Sequence, residues 1–349
     1  MPPIVIDGAA GEGGGQILRT SLALAVVTGR PVRIERIRAG RARPGLQRQH
    51  LACVEAAAAV SGGRVEGARL HGAYVELEPG PVRPGAYRFS IGTAGSALLV
   101  LQTVLAPLLV ASGPSEVVIE GGTHNPMSPP FEFVSRCFAP VLERMGARLT
   151  LVLERPGFYP EGGGRLVARI EPAPARRLSP VEHVAVGPIV RRRATAVLSQ
   201  LPAHIGEREL AAVRAGLGWH ARECAIEEVQ AAGPGNVLLL EVERRSAGAS
   251  SIELVTAFGE KGVTAERVVE RAMRTMRAYL AADVPVGEHL ADQLMIPFAL
   301  AGGGRYRTLA LSGHATTNLQ VIQRFLPIAI EVAPATGGGV EVTFAPIRA

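Results

Sequence analysis

Lysine is almost missing from this sequence of 349 residues, because Lys261 is the single lysine among 37 basic residues. The remaining positive charge is arginine, whose planar guanidinium forms paired hydrogen bonds with phosphate. With a formal net charge of +6, the surplus favours an anionic partner such as nucleic acid. High genomic GC content or adaptation to heat would produce the same bias, so the composition by itself leaves the partner open.

Aromatic residues and cysteines are scarce, and long apolar runs are missing. Aromatic residues make up 4% of the chain and hydrophobic residues 47%, so the core must consist mostly of Ala, Val, Leu and Ile. No apolar run reaches the roughly 20 residues of a membrane span, and the first residues lead into a strand without a signal-peptide pattern. Cys53, Cys137 and Cys224 match neither a metal-ligand spacing nor a disulfide framework. These absences predict a reduced, cytoplasmic protein without a membrane segment.

Three copies of one pattern account for most of the chain. Each copy has a glycine turn, an apolar helix, a second glycine, a strand, an amphipathic helix and a further strand. The predicted first helices are 17–27, 97–110 and 294–300, and the second helices are 46–60, 131–145 and 319–326. Helices that are apolar nearly all round are buried between layers. We therefore predict an α+β fold of three repeated units, each with two helices on a four-stranded sheet, and expect functional residues where the glycine turns meet.

The repeat is interrupted before its third copy. Between about 185 and 277 the glycine turns stop, and the pattern predicts a helix at 206–215, strands at 236–243 and 251–257, and a helix at 264–281. Insertion of a domain at an exposed loop is well tolerated. We interpret 185–277 as a small inserted α/β domain, and 1–184 together with 278–349 as one large domain.

His314 is the first residue that could carry chemistry. It lies between a strand-like run at 308–311 and a helix-like run at 319–325, among small residues that leave its ring uncovered. A neutral imidazole can attack a phosphorus atom and form a covalent adduct, and an ordinary pKa of about 6.5 leaves much of it neutral near pH 7. The alternative is a histidine at the edge of the core, since Thr316, Thr317 and Asn318 are suitable caps for the next helix.

Glu12 is the second such residue, in the glycine-rich turn 11–15 that precedes the first helix. A carboxylate with so few neighbouring side chains could hold Mg²⁺ or Mn²⁺ against a triphosphate. It could equally be an exposed turn acid that stabilises the start of a helix. The glycines match neither a Walker A motif nor a good GxGxxG fingerprint, so they indicate a phosphate site only in general terms.

Polar residues at three further places complete the prediction. Segment 38–50 carries four arginines at a strand–loop–helix junction, an arrangement suited to anions or simply a solvated basic loop. Gln16 and Arg19, one turn into the first helix, could join an anion site there. Gln102, Asp292 and Gln293 lie within apolar helices and need a partner or a ligand. Phe131 and Phe133 could form an apolar slot for a base or belong to the core.

Together these motifs resemble the RNA 3′-terminal phosphate cyclase family over nearly the whole chain. The segments that carry the resemblance are 7–19, 37–50, 91–105, 121–133, 157–164, 287–302 and 313–327. The resemblance implies three repeated units, similar to those of the enolpyruvyl transferases, with a small domain inserted before the third. It also implies three chemical steps. His314 attacks the α-phosphate of ATP, AMP passes from the histidine to an RNA 3′-phosphate, and the terminal 2′-OH closes a 2′,3′-cyclic phosphate.

The resemblance also implies roles for particular residues. Glu12 would be the ligand of Mg²⁺ or Mn²⁺. Ligands of phosphates or of the RNA end would be Gln16, Arg19, Arg38, Arg41 and Gln49. The nucleotide pocket would consist of Gln102, Pro129, Phe133, His289, Asp292 and Gln293. The chain departs from the bacterial pattern at His289, where that pattern has a tyrosine, so base stacking at this position is in question.

Two other functions stay open. A non-enzymatic, cyclase-like protein of ribosome assembly would share the fold, although such proteins are regarded as lacking the nucleophilic histidine that His314 matches. An enolpyruvyl transferase is favoured by fold alone, which is a weak argument for function, and would need no histidine–AMP adduct. The expected partners are RNA 3′-phosphate ends and no membrane, and the sequence leaves open whether the protein is a homodimer.

Overall fold

The structure is a computed structural model that describes residues 1–246 and 249–347. Within those residues the fold is of the α+β class, with four small mixed sheets and helices packed against them. None of the described helices combines the length and the apolar character needed to cross a membrane.

The first sheet is built from the amino-terminal residues. Its elements are β1 Ile4–Asp7, α1 Gly15–Thr28, β2 Val32–Glu35, α2 Arg48–Ser61, β3 Arg64–Glu66 and β4 Val75–Glu78. The strands lie in the order β1-β2-β4-β3, with β1 parallel to β2 and the other neighbours antiparallel. Helix α1 is apolar on nearly every face and packs against α2 and α3 as well as α9 (ranges below), so it belongs to an inner layer. Gly29 ends α1 in the left-handed conformation, at φ 66°.

The second sheet has the same strand order. Its elements are β5 Ala86–Ser90, α3 Ala97–Leu109, β6 Ser115–Gly121, α4 Phe131–Phe133, α5 Ala139–Arg144, β7 Arg148–Arg155 and β8 Gly164–Glu171. The order is β5-β6-β8-β7, with β5 parallel to β6. A π-helical stretch, Val134–Phe138, joins α4 to α5. All residues of α3 are buried except Gln102, which is partly exposed.

The segment that we interpreted as an insertion, called the inserted segment below, follows the short strand β9 Glu182–His183. Its own elements are β10 Ile189–Ser199, α6 His204–Leu217, β11 Cys224–Glu228, β12 Gly235–Ser246, β13 Ala249–Phe258 and α7 Ala265–Ala282. The sheet has the order β11-β10-β12-β13. Helices α6 and α7 form a separate core on one face, whereas Val197, Leu239 and Leu254 on the other face join the main core. Burial on both faces explains the unbroken apolar run of β12.

Buried charges also join this inserted sheet to the rest of the chain. The side chain of Glu241 on β12 is 3% exposed. It accepts a hydrogen bond from Arg136 of the π-helical stretch at 3.1 Å and forms an ion pair with Arg191 of β10 at 2.7 Å. Arg191 begins a run of three arginines that the sequence did not identify as a strand. The pairing of Arg191 with a buried acid explains why charged residues occupy a strand here.

The last sheet contains the carboxyl-terminal elements. These are α8 Glu288–Ala301, β14 Gly304–Thr308, α9 Gly313–Phe325, β15 Ile328–Pro334 and β16 Val340–Pro346. Strand β9 completes the sheet in the order β15-β16-β14-β9, parallel to β14, so the strand order of the first two sheets occurs again.

The boundaries near His314 correct the sequence prediction. Strand β14 ends at Thr308, and His314 lies in the first turn of α9 and not at the end of a buried strand. Ser312 is the cap, because its side chain accepts a hydrogen bond from the Ala315 N–H at 3.2 Å. Thr316 and Thr317, which the sequence offered as caps, are inside the helix, where each hydroxyl donates to the carbonyl four residues earlier.

Candidate active site

His314 is held by a chain of side chains from three helices. Its Nδ1 lies 2.5 Å from Oε1 of Gln16 on α1. Gln16 Nε2 in turn donates to Asp292 Oδ1 on α8 at 2.5 Å. Because the amide nitrogen of Gln16 faces a carboxylate, its oxygen must face the imidazole, so Nδ1 of His314 carries the proton. The other ring nitrogen, Nε2, then keeps its lone pair, and the side chain is 55% exposed.

Asp292 is fixed by a second set of donors. Asn318 Nδ2 donates to both the carboxylate and the backbone carbonyl of Asp292, each at 3.2 Å. The Thr20 hydroxyl donates to the side-chain oxygen Oδ1 of Asn318 at 2.9 Å and so fixes the orientation of that side-chain amide. Burial raises the pKa of Asp292, and the hydrogen bonds from Gln16 and Asn318 oppose that shift. The result is a partly buried carboxylate that orients the side chains of Gln16 and Asn318.

Glu12 approaches the same ring nitrogen of the histidine that contacts Gln16. Its Oε2 is 3.7 Å from His314 Nδ1, and Arg41 donates both to its carboxylate and, at 2.8 Å, to its backbone carbonyl. The Glu12 N–H donates to Thr317 Oγ1 at 3.1 Å, which ties the turn to α9. A Cβ on Gly14 would overlap the Glu12 carboxylate, so the glycine is needed for this close approach.

Arg19 has unused hydrogen-bonding capacity beside these groups. Its Nε is buried and has no partner among the described residues. A Cβ on Gly15 would lie 2.9 Å from Arg19 Nη1 and 2.5 Å from His50 Nε2, so the glycine turn also allows this approach. Burial, reinforced by Arg38 and Arg19, lowers the pKa of His50 to about 3, which leaves it neutral. Burial lowers the pKa of Arg19, and the nearby carboxylates of Asp292 and Glu12 oppose that shift. A partly buried guanidinium with an unpartnered Nε is suited to an anionic ligand.

A narrow cleft joins half of the predicted nucleotide pocket to this centre. Gln102, Asp292 and Gln293 line it together with Gln16 and Arg19, and apolar walls come from α3 and α8. Gln102 donates to the side-chain oxygen of Gln293 across 191 residues of sequence.

The other half of that pocket is not brought to the cleft. Phe133 is buried in the main core, and Pro129 lies partly buried in the loop before α4. His289 is exposed on the first turn of α8 and lines a different cavity, with Glu253 and Tyr279 of the inserted segment. The first turn of α8 lies against β13, because the Gly287 N–H donates to Glu253 of that strand.

The two remaining predicted phosphate ligands, Arg38 and Gln49, do not line the cleft. Arg38, at φ 54°, folds back on its own loop and donates to the carbonyls of Arg43 and, at 3.2 Å, Gly45. Gln49 accepts from the Ser96 N–H at 2.7 Å, which places it at the glycine turn of the second sheet. Sequence reasoning missed Thr20, His50 and the role of Asn318. Of these, only Asn318 was singled out in the sequence, where a polar residue near the start of a predicted helix indicated a helix cap.

Fold and site together define an α+β protein with an exposed histidine whose Nε2 is unpaired among the described residues. The family model described as RNA 3′-terminal phosphate cyclase matches residues 10–332. The chain therefore belongs to the RNA 3′-terminal phosphate cyclase family, as the sequence resemblance indicated.

Relatives named RNA 3′-terminal phosphate cyclase match along almost their full length. The protein of Koribacter versatilis is 48% identical over 331 residues, covering 95% of this chain and 92% of the relative. That of Pseudomonas aeruginosa strain LESB58 is 48% identical, with 96% of each chain covered. That of Salmonella paratyphi C is 44% identical, covering 96% of this chain and 95% of the relative.

Proposed function

We propose that this protein is an ATP-dependent RNA 3′-terminal phosphate cyclase that works through a covalent histidine–AMP intermediate on His314. Family membership and the names of the relatives support the cyclase activity in general. The observation that carries the mechanism is the contact of His314 Nδ1 with Gln16, which leaves Nε2 as the reactive nitrogen.

In the first step, the lone pair of His314 Nε2 attacks the α-phosphorus of ATP. The bond from that phosphorus to the oxygen of the β-phosphate breaks, and pyrophosphate leaves with the electron pair. The imidazole ring becomes positively charged as the new bond forms. Its Nδ1–H donates to Gln16, whose amide is polarised by the carboxylate of Asp292, so the charge is stabilised where it develops.

In the second step, an oxygen of the RNA 3′-phosphate attacks the same phosphorus, and His314 leaves as a neutral imidazole. The terminal 2′-OH then attacks the activated 3′-phosphorus, AMP leaves, and the hydroxyl proton is released. Arg19 is the best-supported ligand for the RNA phosphate, because its Nε lacks a partner among the described residues. Gln16, Arg38, Arg41 and Gln49 complete the proposed set around the RNA end.

Glu12 is the proposed ligand for Mg²⁺ or Mn²⁺. Among the described residues, no group of three or more His, Cys, Asp and Glu side chains could hold a metal ion. One carboxylate fits an ion that takes its other oxygens from phosphates and water, as Mg²⁺ does. Such an ion would neutralise charge on the leaving pyrophosphate. Arg41, which now pairs with Glu12, would share or release that carboxylate.

The finer parts of the architecture belong to the same proposal. We interpret the three sheets of common strand order as copies of one unit, in a large domain of 1–184 and 278–349 with 185–277 inserted. Gln102, Asp292 and Gln293 are the proposed nucleotide-binding residues with the strongest support, because they line the cleft beside His314. Pro129, Phe133 and His289 stay predictions from the resemblance.

Two RNAs that differ in one hydroxyl test this function. The protein should convert an oligoribonucleotide with a 3′-phosphate into a product that resists phosphatase, in a reaction that requires ATP. The same RNA with a 2′-deoxy terminal nucleotide should accept AMP and stop there, because it lacks the attacking hydroxyl. If neither RNA changes, while the folded protein binds ATP, the cyclase proposal is wrong.

A further inference from the structure

A second basic feature lies outside the proposed reaction centre, between the loop after β2 and the turn before β4. It is a groove of about 490 Å³, which we call the loop groove. Its polar walls come from Arg36, Arg43 and His71, and its floor includes Ile37, Pro44 and Gly45. None of the described residues that line it is acidic. The lining of the groove therefore carries a positive charge.

Its charged side chains are largely uncommitted. The Arg43 side chain has no hydrogen bond or ion pair to any described residue, and it is exposed. Arg36 is 69% exposed and pairs with Asp7 at 3.3 Å, an exposed contact of little strength. His71 is exposed, with its Nδ1 3.4 Å from Gln47 Nε2. These groups are free to meet an anionic ligand.

The groove is also preformed. Arg36 and His71, like the adjacent Arg38, have left-handed backbones, at φ 51°, 62° and 54°. Backbone hydrogen bonds hold the two loops together: Gly45 to Ile37 at 2.8 Å, Leu46 to Gly72 at 3.0 Å, and His71 to Leu46 at 2.8 Å. Non-glycine residues keep this conformation only where their surroundings impose it. The positions of the basic side chains are thus set before any ligand binds.

The loop that lines the groove also reaches the reaction centre. Arg41, which lies two residues before Arg43, is bonded to Glu12, and Glu12 is 3.7 Å from His314. Two residues of extended chain span about 7 Å at most. A polymer whose terminal phosphate lies beside Arg41 could therefore reach Arg43 with a phosphate further along its backbone.

We propose that the loop groove binds the single-stranded RNA immediately upstream of the 3′-terminal phosphate. Arg36 and Arg43 contact backbone phosphates, and the exposed ring of His71 stacks on a base. This inference rests on the proposed cyclase function and extends it, since it assigns a contact to RNA beyond its end. It predicts that affinity grows with RNA length through ionic contacts.

The double variant Arg36→Gln/Arg43→Gln tests the phosphate contacts. With a long single-stranded RNA that carries a 3′-phosphate, the KM of this variant should be about tenfold higher than that of the parent, and kcat should be unchanged. The slope of log Kd against log salt concentration should fall by about 1.4, or about 0.7 for each phosphate that an arginine no longer neutralises. For a 3′-phosphorylated dinucleotide, KM should change less than about twofold, since each substitution acts only on the upstream RNA.

Two further variants separate specific contacts from general charge. Arg192→Gln/Arg193→Gln removes two exposed arginines of β10 that have no partner among the described residues, and should leave KM and the salt slope unchanged. His71→Ala should raise KM for the long RNA and leave the salt slope unchanged. If the β10 variant weakens RNA binding as much as the groove variant, or if the dinucleotide is affected as much as the long RNA, the groove is not the RNA path.

Direct binding keeps the test independent of the cyclase proposal. Fluorescence anisotropy of a labelled 3′-phosphorylated RNA should give a Kd about tenfold weaker for Arg36→Gln/Arg43→Gln, whereas transfer of AMP from ATP to the protein should be unchanged. RNA binding that depends on the groove in a protein without cyclase activity would refute the function but not the groove. Unchanged RNA affinity, or equally tight binding of polyglutamate by the parent, would refute the groove as an RNA site.

Discussion

Gln16 Oε1 lies 2.5 Å from His314 Nδ1, and the two residues are 298 positions apart in sequence. The orientation of this amide is decided by Asp292, which accepts from the other end of the same glutamine. The pair therefore selects one tautomer of the histidine and leaves Nε2 free. The proposed chemistry depends on this selection more than on the histidine alone.

Gln16→Met should remove the acceptor for the Nδ1–H while keeping the volume of the side chain. Both tautomers would then be populated, and the imidazolium would lose its partner during adenylation. We expect the single-turnover rate of AMP transfer from ATP to fall on the order of 100-fold. Gln230→Met, at an exposed position of the inserted segment, is the control and should keep the parent rate. An unchanged rate in Gln16→Met would show that the tautomer is not important.

Asp292→Asn should separate stability from activity. Burial raises the pKa of this carboxyl, so its ionised form destabilises the folded state at neutral pH. The neutral amide should raise the free energy of unfolding at pH 7 by about 1 kcal/mol, and Tm by a few degrees. Adenylation should nevertheless fall at least about tenfold, because Gln16 loses the charge that polarises it. A variant that is both less stable and fully active would contradict both parts of this account.

Glu253 should make stability depend on pH. It is 4% exposed, accepts from the Gly287 N–H at the start of α8, and has a pKa raised to about 7, chiefly by burial. A carboxyl with a raised folded pKa takes up its proton on folding between about pH 4.5 and 7. Its contribution to stability therefore grows as pH falls through 7 and is lost as pH rises.

The comparison of Glu253→Gln with the parent isolates the contribution of Glu253, because the contributions of the other titrating groups to the free energy of unfolding are the same in both proteins. Urea unfolding at pH 8 should give a higher free energy of unfolding for the variant, by about 2 kcal/mol and at most about 3. At pH 5 the two proteins should differ by less than about 1 kcal/mol. A difference that does not change with pH would mean that Glu253 titrates normally.

Gly14→Ala should act on Glu12 without disturbing the backbone. Gly14 has φ −103°, which alanine adopts readily, but its Cβ would overlap the Glu12 carboxylate. The concentration of Mg²⁺ or Mn²⁺ for half-maximal adenylation should rise about tenfold, with Tm nearly unchanged. Gly40→Ala is the matched control, because a Cβ there meets no atom within 4 Å. Equal metal dependence in all three proteins would remove Glu12 from the proposed metal site.

The regular parts of the fold could be predicted because their signals are local. Glycines mark the ends of α1 and α2, where Gly29 and Gly62 adopt φ 66° and 57°. The predicted start of α9 was wrong because Ser312, Thr316 and Thr317 are all suitable caps, and only the folded structure decides which of them caps the helix. Strand β10 was missed because the acid that pairs with Arg191 lies on another strand.

The candidate site could be predicted residue by residue but not as an arrangement. A glutamine in an apolar helix signalled that Gln102 needs a partner, yet Gln293 is 191 residues away. Phe133 follows a proline pair in a manner that suits either a base slot or the core, and it lies in the core. Thr20 and His50 left no signal, because their roles depend on helices that meet only in the folded chain.

Transfer of label from α-³²P-ATP to the protein tests the central claim most directly. With Mg²⁺ or Mn²⁺ present, the parent and His289→Ala should acquire a label that acid removes and alkali does not, whereas His314→Ala should acquire none. Mapping of the labelled peptide under alkaline conditions should place the bond on the peptide that contains His314 of α9. Label on folded His314→Ala at the parent level, or no label on the parent, would contradict the histidine–AMP mechanism.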